Sequence, residues 1–230
     1  MILCIVCDYP YYYDRGIVPH SGITHMKKAI LVTGAFGLVG SDLVPALQKK
    51  YGIANVYALH HRSIDRHFHG KLLHGDVRDK AVLEKLVKLH RITIIYHLAG
   101  LLSVGGEKNP DLAWDVNMNG LRHVLELARD YTLRVFWPSS IAAFGPTTPK
   151  QHTPQNTVLE PTTIYGVTKV AGELLCQYYH TRWGVDVRSL RYPGLIGYQA
   201  PPGDGTTEYS VHIFYGLLKE NKYACFLKAD

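Results

Sequence analysis

From Lys27 onward the chain alternates short β-branched or apolar runs with amphipathic helical stretches, and this alternation constrains the fold more than any other feature. The runs are AILVT (29–33), NVYAL (55–59), KLL (71–73), ITIIYHL (92–98), RVFW (134–137) and VDVRSLR (185–191). Between them apolar residues recur at helical spacing, first as Val82, Leu83, Leu86 and Val87, then as Leu112, Val116, Leu121, Val124, Leu125 and Ala128. Strands that are apolar on both faces and joined by helices belong in a parallel sheet covered on both sides. The expectation is a doubly wound α/β fold. Asn109-Pro110 supplies an N-cap and a first-turn proline for the long helix that follows. Pro45 is discordant: it falls inside the first predicted helix, where proline removes a hydrogen bond and kinks the axis.

Composition excludes several classes of protein. With 47% apolar residues the chain of 230 can build a real core, and no window approaches the ~20 uninterrupted apolar residues of a membrane helix. The formal charge of +6 is scattered among acidic residues, which suits an anionic small ligand and does not demand nucleic acid. Four cysteines (Cys4, Cys7, Cys176, Cys225) are too few for a disulfide scaffold, so a reducing compartment such as the cytoplasm is expected. Residues 1–25 read as an N-terminal extension outside the fold. They lack a basic region before their apolar run, and one arginine, Arg15, makes a poor mitochondrial presequence. Cys4 and Cys7 form a C-x-x-C with no second pair at ligand spacing, and His67, His69 and His74 have no carboxylate or thiolate companion, so no metal site is expected.

Gly34-Ala-Phe-Gly37-Leu-Val-Gly40 follows the first strand and opens a helix. Glycines there permit a tight turn, close backbone approach to a pyrophosphate and helix packing on the strand, while the helix N-terminus offers unpaired N–H groups. The spacing departs from the standard G-x-G-x-x-G. About 20 residues further on, where an NAD-binding chain places a carboxylate against the ribose 2′-hydroxyl, stand His60, His61 and Arg62. A cationic pair there can accept a 2′-phosphate; an exposed basic loop is the alternative. Asp76 and Val77, in Gly75-Asp-Val-Arg-Asp79, end the third strand, where Asp76 is placed to accept from an adenine amino group and Asp79 to cap the next helix. His97-Leu-Ala99-Gly100 leaves room for a cofactor at the end of the fourth strand. Tyr165-Gly-Val-Thr-Lys169 places a phenol and an ammonium on one helix face, after Ser139-Ser140. Lys169 can then favour the phenolate, although such a pair is common on surface helices. Base work near neutrality needs the tyrosine to fall by about 3 pH units, or ~4 kcal/mol.

HMKKAILVTGAFGLVG, GDVRD, HLAG, PSSIAAFG, YGVTK and RYPG, in that order, resemble the extended short-chain dehydrogenase/reductases over residues 28–230. LAGLLSVGGEKNPDLAWDVNMNG, IYGVTKVAGELL, VRSLRYPG and DGTTEYSVHIFYGLLKENKY resemble the L-threonine 3-dehydrogenase branch of that family, in preference to its nucleotide-sugar epimerases. The resemblance implies a Rossmann domain (26–195) followed by the start of a small C-terminal substrate lobe (196–230). It implies NAD as cofactor, with Gly34, Gly37, Gly40, Asp76, Val77, Ala99, Lys169 and Pro193 around it, and with NADP admitted by His60, His61 and Arg62 in place of the family's aspartate. Tyr165 is implied as general base, Lys169 as its activator and ribose contact, Ser140 as the group orienting the hydroxyl, and Ser103 and Thr206 as substrate contacts. Ser139, Thr207 and Arg191 are neighbours with no assigned role. The implied reaction transfers a hydride from the β-carbon of L-threonine to NAD+, in a homodimer paired through the 109–130 and 162–182 helices, mitochondrial in a eukaryote. A nucleotide-sugar epimerase/dehydratase and a non-catalytic cofactor-binding remnant stand as alternatives. The family continues past the LKAD that ends this sequence, which leaves a strand expected at Tyr223 without a partner. Cofactor binding with little turnover is therefore expected of these 230 residues.

Overall fold

Ile30–Thr33 forms the central strand β1, and all four side chains are buried. Leu31 packs into one apolar cluster while Ile30 and Val32 pack into another, so the strand is covered on both faces. The computed structural model describes residues 28–61, 68–201, 203, 205 and 208–225. Around β1 stand β2 (Val56–His60), β3 (Lys71–His74), β4 (Ile94–His97), β5 (Arg134–Ser140) and β6 (Asp186–Tyr192). They form one sheet in the order β3-β2-β1-β4-β5-β6, and each adjacent pair is parallel. This is the Rossmann arrangement, with the strand order reversing between β1 and β4.

Helix α1 (Leu38–Tyr51) covers one face through Val44 and Leu47. It runs through Pro45 without a break. Pro45 is exposed, so the Ser41 carbonyl that it leaves without an amide faces water rather than core. Helix α2 (Lys80–His90) begins at Asp79, whose side chain accepts from the Val82 N–H at 3.0 Å, as the sequence predicted. The short α3 (Ser103–Lys108) precedes α4 (Pro110–Trp114), capped by Asn109 accepting from Leu112 N–H. The expected single helix over 109–130 is not uniform: a π-helical segment (Asp115–Asn119) joins α4 to α5 (Gly120–Tyr131). On α5, Leu121, Val124, Leu125 and Ala128 lie in the core, as their spacing required. Helix α6 (Ile164–Trp183) packs beside β5 and β6.

Strand β5 runs past Trp137 to Ser140, beyond the predicted end, with Pro138 inside it. Pairing with β4 has ended at Phe136, and only β6 continues alongside, so the missing proline amide falls outside the β4 ladder. Helix α7 (Tyr209–Glu220) replaces the helix expected over 207–221. Lys222 to Cys225 pair with no strand, and the rest of the run expected to follow Tyr223 lies outside the described residues. Among the described residues, no helix is long and apolar enough to cross a membrane. Nor does any group of three His, Cys, Asp or Glu side chains among them have a metal-binding arrangement. Residues 1–27, including Cys4 and Cys7, lie outside the described residues, as do Arg62, His67, Thr206 and Thr207.

Candidate active site

At the carboxyl ends of the strands, where the order reverses, lies a cavity of about 540 Å³. Gly34 and Gly37 line one end; Ser140, Tyr165, Lys169 and Pro193 line the other. The three glycines of the first turn serve different needs. Gly34 has φ +64, and a Cβ there would meet the Ala99 nitrogen at 2.7 Å. A Cβ on Gly40 would collide with the Gly34 carbonyl. Gly37 is different, since its Cβ would touch only the Gly34 oxygen, at 3.4 Å. Packing therefore requires two of the glycines, while the third keeps open the space before α1. Gly37 is also the N-cap of α1, with no side-chain cap and no acidic residue in the first turn, so the helix presents free N–H groups and an uncompensated positive end. The cradle fits a dinucleotide pyrophosphate.

The other end of the cavity is built by β4, β5 and α6. Thr163 caps α6 by accepting from Gly166 N–H, and Glu107 of α3 accepts from Ile164 N–H at 2.7 Å, so two polar groups fix the turn on which Tyr165 sits. The Tyr165 hydroxyl shares a hydrogen bond with Ser140, while burial pushes the phenol above its ordinary pKa and the Ser140 bond opposes this. Lys169 does not sit on the phenol oxygen. Its ammonium donates to the Pro138 carbonyl at 2.6 Å, faces the Trp137 ring at 4.6 Å and lies 5.3 Å from the centre of the Tyr165 ring. Burial draws Lys169 down to about 8, opposed by Cys176 and Glu173. The spacing puts both on one helix face, as expected, and the ammonium is bonded to a strand carbonyl.

Two buried polar networks, not anticipated from sequence, brace this end. Glu173, one turn beyond Lys169, accepts from Ser139 Oγ at 2.5 Å and from Arg191 Nε and Nη2 at 2.8 and 2.7 Å. Glu173 and Arg191 are 7% and 5% exposed and tie α6 to β6. Asn117, in the π-helical segment, brackets Leu101 by accepting from its N–H at 2.8 Å and donating to its carbonyl, and it also donates to Thr168 Oγ1. His97 ends β4 at 1% exposure, and its Nδ1 lies 2.9 Å from Thr33 Oγ1. Thr33 Oγ1 also accepts from Ala99 N–H at 3.1 Å. His97 Nε2 is buried without a hydrogen-bond partner among the described residues. Burial, Lys169 and His123 hold His97 down at about 3, hence neutral.

Ser103, Ala99 and Pro193 line the same cavity. Asp76 and Val77 do not. Val77 packs in the core, and its carbonyl accepts from His123. The Asp76 carboxylate is taken up by Arg78 through Nε and Nη2, the latter at 2.6 Å, and by His61 Nδ1 at 3.3 Å. Its Asp-x-Arg spacing was readable in the sequence; the bidentate pairing was not.

Residues 30–220 match the NAD dependent epimerase/dehydratase family. A protein of Staphylococcus saprophyticus, described as an uncharacterized epimerase/dehydratase, is 48% identical over 211 residues, covering 89% of this chain and 65% of its own length. Among solved structures, a GalE-like L-threonine dehydrogenase of Cupriavidus necator in its holo form is 52% identical at a TM-score of 0.83, over 88% of this chain and 66% of that one. The L-threonine dehydrogenase of Clostridium difficile is 47% identical at 0.82, over 88% and 64%. A UDP-glucose 4-epimerase of Thermus thermophilus, complexed with NAD, is 25% identical at 0.72, over 83% and 63%. The chain thus spans about two-thirds of the length of the proteins it matches, and it belongs to the NAD dependent epimerase/dehydratase family.

Proposed function

We propose that this chain carries the cofactor site and the acid–base residues of a dehydrogenase converting L-threonine and NAD+ to 2-amino-3-ketobutyrate, NADH and a proton. The observation that carries the reading is the identity gap. Threonine dehydrogenase structures stand at 43–52%, and the UDP-glucose epimerase at 25% over a similar share of the chain.

Gly34, Gly37 and Gly40 hold the pyrophosphate, with Ala99 and Pro193 along the cofactor and Asp76 and Val77 at its adenine end. Bound NAD+ supplies the hydride acceptor and a positively charged ring. Ser140 orients the threonine hydroxyl, and Tyr165 takes its proton. Since burial raises Tyr165, the residue needs added positive charge to act near neutral pH. Lys169, 5.3 Å from the centre of the Tyr165 ring, supplies part of it and would also hold the cofactor ribose. Ser103, together with Thr206, binds the amino acid. The same reading includes a homodimer through α5 and α6, whose outward residues Leu174 and Tyr178 are 62% and 53% exposed. It also treats 196–230 as part of a substrate lobe, in line with the exposure of Ile196, Tyr198 and Leu218.

The test supplies NAD+ with either L-threonine or a UDP-sugar to a chain extended to the relatives' full length, and follows NADH absorbance and sugar epimerisation. Threonine-dependent NADH formation is expected. Epimerised sugar without NADH would overturn the reading. The 230 residues alone are expected to bind NAD and to turn over threonine slowly.

A further inference from the structure

The end of β2 lacks the carboxylate that a dinucleotide fold uses to accept from the ribose 2′-hydroxyl. In register, Leu59 pairs with Thr33, so His60 lies beside the start of the glycine turn, and across the sheet it pairs with His74. The rings of His60 and His74 are 5.2 Å apart, and those of His61 and His74 are 6.4 Å apart and stacked. Asp76, the carboxylate that contacts His61, is committed: Arg78 holds both its oxygens, and His61 touches one. Arg78 is committed in turn, since its remaining contact goes to Asp115 in the π-helical segment at 3.5 Å. Neither the glycine turn nor the first turn of α1 brings an acidic group. The charge offered to a ribose 2′ substituent by the described residues is therefore that of the imidazoles. Among these, His60 Nδ1 is buried with no hydrogen-bond partner among the described residues.

We propose that His60, supported by His61 and His74, makes cofactor choice depend on protonation: NAD is accepted at any ordinary pH, and NADP becomes a good ligand only when its 2′-phosphate brings a proton onto His60. The inference rests on the dinucleotide-site reading above and extends it to cofactor selection. In the free protein, burial and the neighbours His74 and His61 hold His60 below its ordinary value, so it is neutral near pH 7. A phosphate beside it acts in the opposite direction, because an adjacent anion favours imidazolium. Binding of NADP is then coupled to proton uptake, which strengthens it by up to about tenfold for each pH unit of acidification within the imidazole range. NAD carries a neutral hydroxyl at this position and gains nothing.

The experiment measures NADH and NADPH dissociation constants for the 230-residue protein at pH 8, 7 and 6, by fluorescence of the reduced nicotinamide. The range stops near the second ionisation of the phosphate itself, at about 6. Between pH 8 and pH 6 the ratio of NADPH to NADH affinity is expected to rise about tenfold or more. His60→Gln should leave NADH binding within about threefold and flatten that rise; His60→Asp should favour NADH over NADPH at every pH and abolish the rise. Circular dichroism of each variant confirms that its fold is retained. A ratio that does not change with pH in the wild-type protein, or a rise that survives in His60→Gln, would overturn the proposal while leaving the dinucleotide site standing. Failure to bind either nucleotide would overturn both.

Discussion

Acidification should destabilise this protein through His97, and the size of the effect follows from the site. His97 is 1% exposed, shares a hydrogen bond with Thr33 Oγ1 through Nδ1 and is held at about 3 by burial, Lys169 and His123. In the unfolded chain the same imidazole titrates near its ordinary 6.5. Below that pH the unfolded state binds a proton that the folded state refuses. The contribution is therefore intact above about 6.5 and is lost progressively as pH falls toward 3. Over the two units from pH 6.5 to 4.5 the loss is about 2 to 3 kcal/mol, a large share of the 5–15 kcal/mol typical of a domain. His97→Asn isolates this group, because the amide can still hydrogen-bond to Thr33 in either direction while nothing titrates. The smaller side chain should cost about 1–2 kcal/mol at pH 7.5. Urea unfolding of both proteins at pH 7.5, 6.5, 5.5 and 4.5 should then give curves that converge or cross, the variant lacking about 2 to 3 kcal/mol of the wild-type acid loss. Parallel curves would refute the reasoning and place the acid sensitivity elsewhere.

In a full-length active chain, Tyr165→Phe should lower kcat by ~10²-fold or more with NAD affinity nearly unchanged, and Lys169→Ala should impair both; near-normal turnover in the first variant would make Tyr165 structural. Gly37→Ala should keep thermal stability within a few degrees while weakening NADH binding, whereas Gly34→Ala, strained at φ +64 and crowding Ala99, should fold poorly; equal effects in thermal melts and binding titrations would contradict the division of labour among the glycines. Glu173→Ala leaves Arg191 buried without its carboxylate and should cost about 3–5 kcal/mol, measured by denaturant unfolding; a loss under 1 kcal/mol would mean that water replaces the pair.

Strands were legible wherever burial on both faces forced an unbroken apolar run, as in AILVT, and helices wherever one face had to be apolar, as on α5. The end of β5 was not legible, because Pro138 argues against a strand until the limits of the β4 and β6 ladders are known. Tyr165 and Lys169 were readable as a pair because four residues on a helix define one face. The partner of the lysine was not, since Pro138 lies 31 residues away and only the fold brings its carbonyl under α6. The Glu173–Arg191 pair is hidden in the same manner, by a separation of 18 residues and by the absence of any local pattern. For Asp76 the place after β3 was legible and the pairing with Arg78 was not read, although a carboxylate two residues before an arginine has a partner at hand.

The π-helical segment makes the long helix sensitive to register rather than to composition. Asp115–Asn119 carries one residue more than an α-helical turn needs, so everything after it is rotated by about 100° relative to an uninterrupted helix. That offset lets Asn117 face Leu101 and Thr168 while Leu121, Val124 and Leu125 still face the sheet. Removing any one residue of the segment would restore the α-helical phase and force a choice between the bracket at the cavity wall and the core beneath it. Substitutions along this stretch can be absorbed one side chain at a time, whereas a single-codon deletion there changes the direction of every residue that follows up to Tyr131.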